Sequence, residues 1–75
     1  MRDFNYTITQ KLAVLSSSEG GDFTTEANYI SYNGRPPKLD IRKWDRRTAE
    51  GKMLKGITLS DEEAAALLEA LQKAV

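Results

Sequence analysis

The chain has 75 residues, 40% hydrophobic, 29% charged and 8% aromatic, the profile of one globular domain over residues 1–75. It contains neither cysteine nor histidine, which excludes a disulfide framework, a thiolate zinc site, a cysteine nucleophile and the commonest general base. Its 11 basic and 11 acidic residues cancel, but residues 33–55 alone carry +5, against −2 for residues 1–32 and −3 for residues 56–75.

The first strand is expected from Phe4, with Phe4, Tyr6, Ile8, Leu12 and Val14 on one parity and Asn5, Thr7, Thr9 and Lys11 on the other. Ser16 to Asp22 reads as a loop, from its small polar residues and paired glycines. Strand character resumes over Phe23–Tyr32, where the adjacency of Tyr29 and Ile30 leaves the register open. Asn33-Gly34 is a hairpin signal, because both residues tolerate positive φ. Pro36 and Pro37 cannot donate to a ladder and belong to an edge, a bulge or a wider loop.

The third strand is expected over Lys38–Trp44, with Leu39 and Ile41 facing the core and Lys38, Asp40, Arg42 and Trp44 on the opposite face. Asp45 to Leu54 reads as a long polar connection, and Lys55–Leu59 as a short fourth strand. Simple alternation from Ile57 and Leu59 turns Lys55 inward unless a bulge at Gly56 intervenes. Ser60 followed by Glu63 is a capping box opening a helix that runs to about Ala74. Ala64, Leu67, Leu68, Leu71 and Val75 form its apolar stripe. Ala66, Ala70 and Ala74 form a second stripe, explained either by helix propensity or by close approach of a partner helix. The predicted fold class is α+β: a four-stranded antiparallel meander packed by its apolar face on one carboxy-terminal helix, β-β-β-β-α.

No apolar run approaches a membrane span, and the amino terminus lacks the apolar stretch of a signal peptide, so a cytoplasmic protein is expected. A core this small without disulfide or metal support favours oligomerisation, here a homodimer with Leu67, Ala70, Leu71 and Ala74 in its interface. Gly20-Gly21 lacks the rest of any phosphate-loop fingerprint. Asp61, Glu62 and Glu63 are accounted for by the helix dipole rather than by a metal. Asp40 pairs with neighbouring basic side chains rather than with Asp45 as a hydrolytic dyad. No enzyme, cofactor, metal or small-molecule substrate is expected.

The basic block is either a solvated face or a polyanion-binding patch. Trp44 beside Arg42 on the non-core face matches what single-stranded nucleic acid needs, a ring for stacking and a cation for phosphate. The structural alternative is that Trp44 caps the edge of the core under the stem of Arg42. Tyr32 and Lys11 extend the candidate surface.

The run Asn33–Asp45 (NGRPPKLDIRKWD), followed by Lys55–Leu71 (KGITLSDEEAAALLEAL), resembles the single-stranded-DNA-binding domain of the transcriptional coactivator family called positive cofactor four (coactivator p15), in particular its short bacterial, YdbC-like branch. The resemblance is good over residues 23–75 and loose over residues 1–22. It implies a curved four-stranded sheet with one helix, a dimer joined largely through the helices, and sequence-tolerant binding of single-stranded DNA in transcription, replication or repair. It also implies a cytoplasmic, nucleoid-associated location.

Tyr32 corresponds to the family's hairpin aromatic, Arg35 to its loop cation, and Arg42 to the arginine of D-I-R. Trp44 corresponds to the strand aromatic and Lys55 to the lysine before Gly-Ile. The departures are two prolines in the hairpin, a single aromatic followed by Asp45, and the orientation of Lys55. The expected contacts are Trp44 and Tyr32 for bases, Arg42, Arg35, Lys38 and Lys55 for phosphates, and Lys11 as an outer contact. Arg46, Arg47 and Lys52 are expected to supply long-range attraction. Single-stranded RNA, or a protein-interaction module acting through sheet edge or helix, are the alternatives.

Overall fold

The computed structural model describes residues 5–75; Phe4, expected to open the first strand, lies outside the described residues. Four antiparallel strands in sequential order, β1 (Tyr6–Ser17), β2 (Phe23–Tyr32), β3 (Lys38–Asp45) and β4 (Lys52–Leu59), precede one helix, α1 (Asp61–Ala74). The meander-plus-helix expectation therefore holds. The β2–β3 hairpin turns on Asn33 and Gly34, with φ of 51° and 77°, closed by the Arg35 N–H donating to the Tyr32 carbonyl at 3.0 Å. Arg35-Pro36-Pro37 then leaves the ladder before β3 begins. The polar connection before β4 is shorter than expected, since β4 starts at Lys52 rather than Lys55.

The edge strand β1 departs most from its sequence pattern. Its pairing with β2 slips at three points, between Ile8 and Gln10, Lys11 and Ala13, and Val14 and Ser16. Thr9, Leu12 and Leu15 are thus extra residues without a partner. Side chains consequently repeat every three residues, and Ile8, Lys11, Val14 and Ser17 share one face. The parity that grouped Leu12 with Tyr6 and Ile8 does not survive.

The bulges bend the sheet. Tyr6 pairs with Tyr32 and Trp44 with Thr24, which places the two at opposite ends of β2, about 26 Å apart on a flat sheet. Their rings nevertheless lie 6.0 Å apart, tilted by 56°. Two diagonal corners have curled towards each other, making a concave face whose interior is Trp44, Ile30 and Tyr6.

All five buried residues among those described, Glu26, Asn28, Ile30, Asp40 and Trp44, lie on this concave face. The expected facing of β3 is therefore inverted. Asp40 and Trp44 are the packed side, and Leu39 and Ile41, on the other face, are only half-buried. In β2 the ambiguity resolves with Ile30 inward and Tyr29 outward.

The helix starts as expected, with the Ser60 hydroxyl accepting from the Glu63 N–H at 3.1 Å and the Glu63 carboxylate accepting from the Ser60 N–H at 2.9 Å. It touches β3 and β4 only sparsely, and none of its residues is buried. Leu67, Leu68 and Leu71 are exposed, and so is Ile57 of β4. The expectation that the apolar stripe packs on the sheet of its own chain is not met.

Candidate nucleic-acid interface

The hairpin end of the sheet is built around one carboxylate. Asp40 is fully buried and accepts from Arg42 Nε (2.6 Å) and Nη2 (2.6 Å), from the Tyr32 hydroxyl (2.7 Å) and from the Thr58 hydroxyl (2.9 Å). Burial opposes its ionisation, but the hydrogen bonds from Arg42, Tyr32 and Thr58 outweigh it and hold the carboxyl below its ordinary value. Burial and the Asp40 contact push the Tyr32 hydroxyl up. Arg42 also donates to the Leu54 carbonyl at 3.0 Å and to the Tyr32 oxygen at 3.1 Å.

Gly56, opposite Arg42 in the register, lets that side chain lie flat: a Cβ there would sit 2.0 Å from Arg42 Cβ. The register shift of β4 falls directly before this glycine, at Leu54-Lys55, and Lys55 is exposed rather than turned inward.

This network corrects the expected role of Arg42. Its side chain is 15% exposed, and its guanidinium is committed to Asp40, Leu54 and Tyr32. What it does is fix the Tyr32 ring at the mouth of the hairpin. There Tyr32, Arg35, Pro36, Lys38 and Thr58 line an open pocket of about 200 Å³. Three expected contacts, Tyr32, Arg35 and Lys38, are thus brought together. Arg35 and Lys38 form no ion pair among the described residues, so both cationic heads are available. Pro36 and Thr58 were missed by the sequence analysis. Thr58 is readable only once its pairing with Asp40 is known, whereas Pro36, expected only to interrupt the ladder, is a rigid part of the pocket wall.

Trp44 is corrected more sharply. It is fully buried, its cation neighbour is Arg46 rather than Arg42, and its indole N–H has no hydrogen-bond partner among the described residues. The Arg46 guanidinium lies 4.5 Å from the ring centroid and donates to Glu26 at 2.6 and 2.9 Å. Those bonds hold the Glu26 carboxyl below its ordinary value against the effect of burial. Thr24 also donates to Glu26. The ring is a packing element under the concave face, not an open stacking surface.

Arg47 is likewise engaged, donating to Asp45 at 2.8 and 3.0 Å and lying 5.2 Å from the Phe23 ring centroid. It draws the Asp45 carboxyl down to about 2. Of the residues expected to supply long-range attraction, Lys52 alone is without an ion pair among the described residues. Lys11 is exposed across from Asn28, and Lys55 is exposed beside the Arg42 network.

A family described as Transcriptional Coactivator p15 (PC4) matches residues 23–70, which include β2, β3, β4 and most of α1. The chain is also 44% identical over 69 residues to an uncharacterized protein of Treponema pallidum (strain Nichols), covering 92% of this chain and 78% of that protein.

Proposed function

Because this chain belongs to the transcriptional coactivator p15 (PC4) family, we propose that it is a homodimeric, non-catalytic protein that binds single-stranded DNA with little sequence preference. The family is associated with single-stranded DNA binding and transcription coactivation. The observation that carries the proposal is the hairpin pocket, where a half-buried tyrosine held rigid by Asp40 and Arg42 stands beside Arg35 and Lys38.

A flexible strand is bound by stacking a base on a fixed aromatic face while cations follow its backbone. Tyr32 supplies the ring, Arg35 and Lys38 the nearest cations, and Lys55 and Lys11 outer contacts. Arg42 acts by positioning Tyr32, and Trp44 by supporting the curvature beneath. Lys52, with the paired Arg46 and Arg47, contributes a weak field at the far end of the β3–β4 hairpin. DNA as ligand carries with it a cytoplasmic, nucleoid-associated location and a role in transcription, replication or repair.

The homodimer is supported by the bare helix. Leu67, Leu68 (59% exposed), Leu71 and Ile57 (56% exposed) are large apolar side chains that the sheet of their own chain leaves uncovered. Leu67, Ala70, Leu71 and Ala74 lie on that helix, and a second copy would cover them.

Salt tests the phosphate contacts. Affinity for an oligothymidine should fall with log salt at a slope of about −0.7 per phosphate neutralised. Arg35→Ala and Lys38→Ala should each reduce that slope by about 0.7 per subunit without changing base preference. Unchanged slopes in both variants would remove the hairpin pocket from the interface.

A further inference from the structure

A second pocket, of about 220 Å³, lies at the opposite end of the sheet, between the end of β1, the start of β2 and the middle of β3. Its floor is a cross-strand row: Ser16 pairs with Thr25, and Thr25 with Lys43, so three polar side chains stand abreast on one face. This row is on the face opposite Trp44 and Asp40, and Lys43 lies five positions along β3 from Lys38 of the hairpin pocket. The two pockets share no lining residue.

The lining is rich in donors and, among the described residues, free of carboxylates. It comprises Ser16, Ser17, Ser18, Phe23, Thr24, Thr25 and Lys43. Thr24 and Ser17 spend their hydroxyl protons on Glu26 and on the Ser18 carbonyl. The Ser18 oxygen accepts from the Phe23 N–H at 2.9 Å, which fixes that hydroxyl while leaving its proton to give. Ser16 and Thr25 make no side-chain hydrogen bond, and Lys43 no ion pair, among the described residues. The nearest acid on the same face of β3, Asp45, is neutralised by Arg47, whose guanidinium covers the Phe23 ring at the rim. Three hydroxyls and one ammonium thus line the pocket without donating to any acceptor among the described residues, a donor set suited to an oxyanion.

We propose that this pocket is a second binding site, separate from the hairpin, that takes a phosphoryl group through Lys43, Ser16, Ser18 and Thr25. That group could be supplied by free phosphate or by the backbone or end of a nucleic-acid strand, and the chemistry of recognition is the same.

The test is a titration of the isotope-labelled full chain with inorganic phosphate, followed by amide and lysine side-chain resonances, with chloride at matched ionic strength as control. Phosphate should give saturable shifts confined to residues 16–18, 23–25 and 43, and chloride should not. Lys43→Ala, at an exposed position, should weaken binding by about tenfold and Thr25→Val by about threefold. Repeating the titration with oligothymidine bound separates the sources: displacement of phosphate assigns the site to the strand, simultaneous binding to a free anion. Equal shifts with chloride, no saturation, or full affinity in Lys43→Ala would overturn the proposal, whatever the strand does at the hairpin.

Discussion

Replacing Trp44 by alanine tests the inverted facing of β3. The ring is completely buried, contacts Tyr6 across the curl of the sheet and carries Arg46 at 4.5 Å. Truncating a buried tryptophan costs about 3–5 kcal/mol. Loss of the cation–π contact adds about 1 kcal/mol. A domain of this length has roughly 4–11 kcal/mol in total, so at least about a third of its stability goes. At 4–8 °C per kcal/mol for small domains, the melting midpoint should drop by at least about 12 °C. Trp44→Phe keeps a ring and removes an indole N–H that has no partner among the described residues, so it should cost less than about 2 kcal/mol. Thermal denaturation followed by far-ultraviolet circular dichroism at fixed protein concentration measures both. A folded Trp44→Ala protein melting within about 4 °C of the parent would refute the packing role and return the ring to the surface.

Gly56→Ala places a methyl group against Arg42 Cβ and the Ile41 carbonyl, and should cost about 1–3 kcal/mol; a urea midpoint equal to the parent's would contradict that close approach. Asp40 and Glu26 both titrate below their ordinary values in the folded chain, so the stability they contribute is present above about pH 4 and is lost as pH falls through the lower folded values. Asp40→Asn should therefore lower stability at neutral pH and flatten the acid limb of a urea-midpoint profile; an unchanged limb would show that Arg42 does not stabilise the ionised carboxylate. Leu71→Glu should shift the protein to monomer or unfolded chain in sedimentation, and a stable monomer of the unmodified protein at micromolar concentration would refute the homodimer.

Local chemistry was legible, and long-range pairing was not. The Asn33-Gly34 turn and the Ser60–Glu63 box are decided by neighbouring residues, and both appear where the sequence puts them. The extents of β2 and β3 were also readable, because their ladder with each other is regular. Strand β1 misled because three bulges replace a period of two by a period of three, and no residue in it announces a bulge.

The facing of β3 misled for a different reason. Apolar alternation marks the core only when the core is apolar, whereas here the packed face holds Asp40, Glu26 and Asn28. Those carboxylates are tolerable because Arg42 and Arg46 neutralise them, and the Glu26–Arg46 contact joins residues 20 apart in sequence. The same pairings explain the site. Arg42, expected as a phosphate contact, and Arg46, expected to supply long-range attraction, are instead held in ion pairs, and Arg35 and Lys38, with no ion pair among the described residues, are left at the hairpin beside Tyr32.

The central claim is best tested by an anisotropy titration of the unmodified protein with single-stranded DNA, duplex DNA and RNA of one matched sequence, repeated with the Arg35→Ala/Lys38→Ala double variant. Single-stranded DNA should bind more tightly than the duplex, and the double variant should lose on the order of a hundredfold in affinity while melting like the parent. Tighter binding to the duplex, or undiminished single-strand affinity in the double variant, would contradict it.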